Sequence, residues 1–515
     1  MNDRSKAHSN SKNNLNEESV YKYSFKNNPI SSYNELLFEI GENGRSGVDL
    51  PDFEVKENNL LDLYRSKEIG LPGLSEPQVI RHYVNLSRKN YSIDQGIYPL
   101  GSCTMKHNPR LNEKIARIKE FTDIHPLQPK STVQGTLSLM HELSKWIIEL
   151  TGMDSVAMSP AAGAHGELCG IMAIKASFKD KKEERNIILV PDSAHGTNPS
   201  TAAICGYEVK SVQSNSSGRI DLDDFKSKLS KNVAALMITN PNTCGLFENE
   251  ILELSQCIHE VGGYLYCDGA NFNAIVGKIR PIDLGIDVMH LNLHKTFSTP
   301  HGGGGPGSGP VVFCKHLSKY LPYPILSFNG IGSDLIENKN EIIGDEIPFG
   351  RLRSFHGQIG MFLRAYAYIL SHGGDGLKQI AEDAVLNANY IGEKLKGKMS
   401  LRYKGPFMHE VLFDDNFLKD SEITTLDFAK GMINLGLHPM TIYFPLVASG
   451  AMLIEPTESE SKKDLDKFCD KIFYLIDLVE QKNSSYFKNS PFNTSVRRLD
   501  ETAAARNPKL VWGNN

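Results

Sequence analysis

Lysine, aspartate and histidine side chains follow separate apolar runs in the middle of this 515-residue chain. Lys295 comes directly after DVMHLNLH, Asp268 closes the run YLYCD, and His195 lies shortly after NIILV. A lysine amine can form a Schiff base with an aldehyde, whereas aspartate and histidine can hold or transfer protons. These residue types, each placed after its own strand-like run, favour covalent chemistry on a carbonyl compound.

Pyridoxal phosphate (PLP) is the aldehyde cofactor that suits this set of residues. Its pyridine nitrogen must stay protonated to act as an electron sink, and a buried Asp268 beside that nitrogen would enforce this. His195 could lie flat on the ring, and Asn240 or Thr243, after the run VAALMIT, could face the cofactor hydroxyl or the substrate. The small residues of SPAAGAHGE would let backbone N–H groups at a helix N-terminus approach a phosphate. The alternatives are an N-capping Asp268, a structural His195 and a solvated loop lysine.

The composition is that of an ordinary globular chain, with 40% hydrophobic and 23% charged residues. A net charge of −5 argues against a nucleic-acid partner, and no apolar stretch is long enough to span a membrane. The polar N-terminus lacks the features of a secretory or transit peptide, so a cytoplasmic location is expected. Eight cysteines without a CxxC pair favour reduced thiols over disulfides or a metal site.

Composition and periodicity divide the chain into four predicted regions. These are a disordered polar tail (1–30), a loop-rich N-terminal arm (31–120), a large α/β domain (121–355) and a small α+β domain with a C-terminal tail (356–515). Short apolar runs that alternate with helical patterns in the large domain predict a mainly parallel sheet. The predicted strands are 186–190, 207–212, 233–239, 264–268 and 287–293. Predicted helices are 167–179, 222–230, 251–262, 376–397 and 462–481, and a further strand is predicted at 409–414.

The chain order of these features is that of fold type I of the PLP enzymes, the aspartate-aminotransferase-like fold. The longer segments resemble the P-protein family of the glycine cleavage system, the glycine dehydrogenases (decarboxylating). The resemblance is strongest to the lysine-bearing second subunit of the two-chain bacterial form. It extends from YPLGSCTMK through HPLQP, PAAGAHGE, DSAHGTNP, HLNLHKTF and IEPTE to RLDETAAARNPKLVW, so it covers nearly the whole chain except the tail.

The resemblance implies PLP-dependent decarboxylation of glycine, with the aminomethyl group passed to the oxidised lipoyl arm of the H-protein and CO2 released. Lys295, His195 and Asp268 would be catalytic, with Lys295 linked to PLP, His195 stacked on its ring and Asp268 on its nitrogen. The further cofactor-binding residues would be Ala162, Gly163, Asn240, Ala270 and His294. Glycine or cofactor would be approached by Ser102, Thr104 and Lys106, although Lys106 could instead be a surface lysine.

The resemblance also implies partners, because the one-chain form of the family is about twice as long. A separate first subunit and an α2β2 tetramer are therefore expected. The glycine run 302–305 lacks the GK[ST] ending of a nucleotide loop and is interpreted as a hinge or lid. Two other functions compete with the implied one. The first is a PLP decarboxylase that reprotonates its product and releases an amine, and the second is a non-catalytic scaffold.

Overall fold

The computed structural model describes residues 35–51, 63, 65–67, 69–301, 307–342 and 344–511. The predicted tail (1–30) and the glycine run 302–305 lie outside these residues. The chain divides into two compact units, Met1–Tyr91 with Thr494–Asn515, and Ser92–Asn493. The first unit carries the helices Leu37–Ile40, Glu76–Arg88 and Glu501–Arg506. All strands of the described chain lie in the second unit, and the boundaries at 120 and 355 stay predictions.

The larger sheet of the second unit has seven strands in the described chain, in the order β1-β7-β6-β5-β4-β2-β3. Strands β2 to β6 pair in parallel, and β7 is antiparallel to both of its neighbours. The strands are β1 (Ser155–Ala157), β2 (Ile187–Pro191), β3 (Glu208–Val212), β4 (Val233–Thr239), β5 (Tyr264–Gly269), β6 (Val288–Leu291) and β7 (Val311–Phe313).

Helices connect these parallel strands and cover the sheet. The helices of this part of the chain are Arg110–Ile115, Lys119–Thr122, Gln134–Thr151, Gly163–Lys181, Thr197–Ile204, Leu222–Lys228, Ile251–Glu260 and Leu293–Thr296. Every residue of β4, VAALMIT, is buried. A run without polar alternation is what a strand covered on both faces requires. The functional consequence is that the chain leaves β2, β4, β5 and β6 at one common edge, where ligands collect in such sheets.

A smaller antiparallel sheet in the order β10-β11-β13-β12 forms the core of the C-terminal part. Its strands are β10 (Ser400–Leu401), β11 (Val411–Asp414), β12 (Thr441–Ile442) and β13 (Met452–Ile454), and a separate hairpin joins β8 (Ile325–Phe328) to β9 (Ser333–Ile336). The accompanying helices are Ile359–Leu395, Thr425–Asn434, Lys462–Glu480 and Ser484–Asn489. Gly373 interrupts the first of these with non-helical backbone angles. None of the described helices is long and apolar enough to cross a membrane.

This arrangement confirms the predicted α/β fold with a large, mainly parallel sheet and a smaller C-terminal α+β part. The five predicted strands of the large sheet are present with ends within two residues of those expected. The short strands β1 and β7 were missed. Each is only three residues long, too short for a periodic pattern to emerge.

Leu236 tests the role of β4 as the buried centre of the sheet. Its side chain is fully buried, so Leu236→Ala should lower the free energy of unfolding by about 2–5 kcal/mol through lost burial and a residual cavity. Leu252 is 62% exposed and serves as the matched control. Leu252→Ala should change the stability by less than about 0.5 kcal/mol. Urea unfolding of the three proteins measures both effects, and equal losses in the two variants would contradict the assignment.

Candidate functional site

A cavity of about 460 Å³ lies where the strands of the large sheet end. Its lining combines residues from the N-terminal arm, the large sheet and the small sheet. Seven of the residues singled out in the sequence line it: Ser102, Gly163, His195, Thr243, Asp268, Ala270 and Lys295. Five do not: Thr104, Lys106, Ala162, Asn240 and His294.

Lys295 lies on the short helix Leu293–Thr296, which follows β6 at the edge of the sheet. Its side chain is half-buried, and Nζ donates a hydrogen bond to the carbonyl oxygen of Ser102 at 2.7 Å. The amine therefore faces the cavity from the sheet side and is held there by the arm. Its position is compatible with covalent attachment of a carbonyl group.

Asp268 is a buried carboxylate with three hydrogen-bond or ion-pair partners. Oδ1 accepts from the backbone N–H of Ala270 at 2.9 Å and lies 3.1 Å from Nε2 of His290, and Oδ2 accepts from Asn198 at 3.1 Å. Asp268 lies within β5, and the short helix that follows has Asn271 as its N-cap, so the N-capping alternative does not describe Asp268. The carboxylate is instead fixed by neighbouring strands and a helix at the bottom of the cavity.

His290 is the partner that the sequence did not reveal. It lies inside β6 directly opposite Asp268 on β5, and Nδ1 is 2.6 Å from the hydroxyl oxygen of Tyr266. Glu167 of the helix Gly163–Lys181 approaches from the other side, with one ligand-type atom each of Glu167, Asp268 and His290 within 4.8 Å. Two carboxylates therefore flank one imidazole in a buried cluster.

The electrostatics of this cluster keep Asp268 ionised. Burial alone would raise the pKa of Asp268, but the charge and hydrogen bond of His290, the Ala270 N–H and the charge of Lys295 together lower it. Burial opposes the charged form of His290 as well, but Asp268 and Glu167 raise its pKa. The two groups thus form a carboxylate–imidazolium pair that leaves Asp268 available as a permanent negative charge.

His195 lies at the exposed side of the cavity, before the helix Thr197–Ile204. Its Nδ1 is 2.9 Å from the hydroxyl of Thr197, which in turn donates to Glu167 at 2.7 Å. The His195 ring meets Phe444 of the small domain edge-on, with centroids 5.8 Å apart. This chain of contacts fixes the ring at the exposed side of the cavity.

The helix Gly163–Lys181 begins at the cavity, with Gly163 and Ala164 in the lining. A Cβ atom at Gly163 would lie 2.9 Å from the side-chain nitrogen of Asn292, so a larger residue here would displace the Asn292 side chain. Ala162 is the N-cap residue and offers no side-chain hydrogen bond. The first N–H groups of the helix are therefore available to an anion.

Asn240 and His294 do not line the cavity. The side-chain oxygen of Asn240 accepts a backbone N–H, whereas its buried Nδ2 has no hydrogen-bond partner among the described residues. Nε2 of His294 is 3.1 Å from Asn292 Nδ2, and its ring packs edge-on against His301. Burial lowers the pKa of His294 to about 3, so this imidazole is neutral.

Thr104 and Lys106 are buried away from the cavity. Thr104 donates from both its backbone N–H and its hydroxyl to Glu455, at 2.9 and 2.6 Å. Lys106 is no surface lysine: Nζ pairs with Glu458 at 2.5 Å and also donates to Asn273, Thr296 and Tyr368. In this structure the two side chains join the arm to the body of the second unit.

Known structures share this architecture. The crystal structure of a glycine decarboxylase (P-protein) of the glycine cleavage system superposes with a TM-score of 0.68 at 18% identity, covering 81% of this chain and 93% of that one. A cysteine desulfurase from Escherichia coli gives 0.59 at 12% identity, over 79% and 99%. Residues 165–305 match the class-V aminotransferase family. Together these matches show the fold type I architecture of the PLP-dependent enzymes.

Sequence relatives narrow the class to one family. A probable glycine dehydrogenase (decarboxylating) subunit 2 from Caulobacter vibrioides is 57% identical over 483 residues, or 93% of this chain and 91% of that protein. One from Caldanaerobacter subterraneus is 49% identical over 489 residues, or 94% and 99%. Residues 380–493 match the glycine dehydrogenase C-terminal domain. The chain belongs to the glycine dehydrogenase (decarboxylating) subunit 2 family of PLP-dependent enzymes, which confirms the resemblance seen in the sequence.

Asp268→Asn tests the ion pair with His290. The variant leaves the buried imidazole without its main counter-charge, so we expect a loss of about 3–5 kcal/mol in the free energy of unfolding near pH 5. The contribution of Asp268 to the free energy of unfolding is present above its unfolded pKa of about 3.9. It is lost as the pH falls through the lower pKa of the folded state. The contribution of His290 is complete below about pH 6.5 and is lost as the pH rises through its raised folded pKa.

The stability difference between wild type and Asp268→Asn should therefore be largest between these two transitions and smaller on either side. Urea unfolding across the pH range measures it. Asp283→Asn is the control, because Asp283 forms an exposed pair with Arg280 on the surface. If the stability difference between wild type and Asp268→Asn did not change with pH, His290 would not be charged in the folded protein.

Proposed function

We propose that this chain binds PLP through Lys295, decarboxylates glycine, and passes the aminomethyl group to the oxidised lipoyl arm of an H-protein. The observation that carries the proposal is the placement of the Lys295 amine and the ionised Asp268 in one cavity at the end of the sheet. The names of the sequence relatives, probable glycine dehydrogenase (decarboxylating) subunit 2, support the choice of glycine.

The residues present fit PLP in three ways. Lys295 offers an amine for the aldehyde, and Asp268 offers an ionised carboxylate for the pyridine nitrogen. Gly163 has no Cβ atom at the cavity, so the first turn of a 19-residue helix is open to the phosphate. Buried polar atoms without a protein partner in the described residues, Asn240 Nδ2 and Asn292 Oδ1, are further candidates for contacts with the cofactor or its waters.

Bound PLP supplies an electron sink for the electron pair that remains when the glycine carboxylate leaves as CO2. Asp268 contributes by holding a proton on the pyridine nitrogen, and His290 contributes by keeping Asp268 ionised. His195 covers the ring from the exposed side. Ser102 contacts the glycine carboxylate in this proposal, which its position in the lining beside the Lys295 amine supports.

Transfer to the H-protein completes the proposed reaction. The aminomethyl carbon bonds to one sulfur of the lipoyl disulfide, the S–S bond breaks, and the second sulfur becomes a thiol. An acceptor tethered to another protein needs an open route to the site. The exposed side of His195, at the rim of the cavity, offers such a route.

A first subunit is the second proposed partner. The relatives that match nearly the full length of this chain are named as subunit 2, which supports a separate subunit 1. The proposed assembly of the two chains is an α2β2 tetramer. Co-expression of the two chains followed by light scattering would measure the mass. A heterotetramer supports the proposal, whereas two independently eluting chains would contradict it.

Borohydride reduction followed by peptide mapping tests the cofactor lysine. We expect a pyridoxyl adduct on Lys295, because its amine faces the cavity, and none on the buried, ion-paired Lys106. Lys295→Ala should lose turnover by several orders of magnitude while its far-UV circular dichroism stays that of the wild type. Lys179→Ala, at an exposed position of the helix Gly163–Lys181, is the control and should retain both adduct and turnover. An adduct elsewhere would overturn the assignment of Lys295.

Isotope exchange tests the reaction itself. With subunit 1 and oxidised lipoylated H-protein present, labelled bicarbonate should enter the carboxylate of glycine but not of larger amino acids. A decarboxylase that only reprotonates its product would release methylamine without this exchange. A non-catalytic scaffold would show neither product nor exchange, even with the adduct present.

A further inference from the structure

The N-terminal arm contacts the lysine-bearing helix, Leu293–Thr296, at two points. At the first, the carbonyl of Ser102 accepts from the Lys295 amine at 2.7 Å. At the second, Lys106 donates from Nζ to the backbone carbonyl of Thr296 at 2.8 Å. One short stretch of arm therefore binds both the side chain of the cavity lysine and the last residue of its helix.

The Thr296 carbonyl needs a donor that its own helix cannot supply. In a continuing α-helix it would accept the N–H of the residue four positions later. That residue is Pro300, which has no N–H. Thr296 is fully buried, and a buried carbonyl without a partner costs free energy. The Lys106 ammonium supplies the missing donor, so a side chain of the arm completes the end of the lysine-bearing helix.

The arm also holds the turn that follows this helix. Ser298 has a φ angle of 52°, in the left-handed region that residues with a Cβ disfavour. Its carbonyl accepts from the side-chain amide of Asn108 at 3.0 Å, and its hydroxyl donates to the carbonyl of His107. The backbone directly after Lys295 is therefore held by consecutive residues of the arm.

The Lys106 ammonium is itself fixed by both domains. Its side chain is only 2% exposed, and Glu458, in the loop after β13, pairs with it at 2.5 Å. Asn273 of the large domain accepts from it at 2.9 Å, and the hydroxyl of Tyr368 in the long helix Ile359–Leu395 accepts at 3.2 Å. A buried ammonium with these partners has one defined position, which is what a group that orders another segment requires.

We propose that Lys106 is a positioning residue of the site, which completes the lysine-bearing helix through the Thr296 carbonyl and so sets the backbone position of Lys295. Glu458 provides the counter-charge that allows Lys106 to be buried. Lys106 does not line the cavity, so it acts through the backbone and not on the substrate. The inference rests on the proposed function only in that it takes Lys295 as the cofactor lysine.

The test must separate this role from that of an ion pair that only stabilises the fold. Hydrogen exchange of the cofactor-free full-length protein, read by mass spectrometry on the peptide that contains residues 292–299, reports the local order of the lysine-bearing helix. Urea unfolding of the same proteins reports their overall stability. The variants are Lys106→Met, Glu458→Gln and the double variant that combines the two.

Glu113→Gln is the matched control. Glu113 pairs with Arg364 at 2.7 Å and so joins another part of the arm, the helix Arg110–Ile115, to the same long helix that carries Tyr368. The control therefore weakens an ion pair between arm and body but leaves the bond from Lys106 to Thr296 in place.

Lys106→Met should make exchange of the peptide at least about tenfold faster, as expected for the loss of a hydrogen bond from a charged donor. The double variant should show the same increase, although its urea midpoint should lie above that of Lys106→Met because no unpaired carboxylate remains. Glu458→Gln should lower the urea midpoint by leaving the ammonium without its counter-charge. It retains the bond to Thr296, so its exchange should stay within about threefold of wild type, as should that of Glu113→Gln.

A second reading connects local order with the lysine itself. The PLP concentration that gives half of the maximal pyridoxyl adduct on Lys295 should rise in Lys106→Met and in the double variant. It should stay at the wild-type value in Glu458→Gln and Glu113→Gln. Faster exchange without this rise would show that the lysine does not depend on the Thr296 contact, and the proposal would then be wrong.

Two exchange results would also overturn the proposal. The first is unchanged exchange in Lys106→Met, and the second is slow exchange that returns in the double variant together with its urea midpoint, as a purely stabilising pair requires. If Lys106→Met does not fold, the double variant decides the question. A wild-type protein that forms no adduct on Lys295 would contradict the proposed function alone, because exchange is measured without cofactor.

Discussion

The buried pair of Asp268 and His290 is the interaction on which the rest of the site depends. The two residues face each other across β5 and β6, so the register of the parallel sheet sets their contact. The helix Gly163–Lys181 must then approach very closely. A Cβ at Gly166 would lie 2.7 Å from Cβ of His290, and one at Gly170 would lie 2.6 Å from the ring of Tyr266. The glycines let the helix reach the pair, and its N-terminus therefore opens into the cavity.

Selective neutralisation of histidines defines where positive charge resides in the site. Burial lowers the pKa values of His294, His301 and His409 to about 3, 4 and 3, and the charge of Lys295 lowers each of them further. His290 is the exception because Asp268 and Glu167 flank it. The cavity thus presents one amine, that of Lys295, together with a buried imidazolium–carboxylate pair. A cofactor with an aldehyde and a basic nitrogen needs both features at separate ends of its ring.

The sequence predicted the parts of this site that follow strands, but not the parts that strands bring together. Lys295, Asp268 and His195 each stand after an apolar run, so the rule that ligands gather at strand ends located them. His290 lies inside such a run and looks like a core residue until β6 is paired with β5. Glu410 and Glu455, which accept the backbone N–H groups of Ser102 and Thr104, were not predicted for another reason. They lie more than 100 residues from the predicted cofactor residues, and only the packing of the small sheet brings them to the arm.

The division of the cavity among three stretches of chain has a physical consequence. Lys295 and Asp268 come from the large α/β part of the chain, and Thr441 and Phe444 come from the small domain. Ser102 comes from the N-terminal arm, which contacts both. Burying the carboxylate of Asp268 and the imidazolium of His290 costs free energy that the apolar cores of both domains must offset. The chemical site is therefore complete only when both domains are packed. The contacts that tie the arm to the small sheet and to Lys295 also hold the lysine amine in place, so the packing of the domains and the positioning of the lysine cannot be separated in this fold.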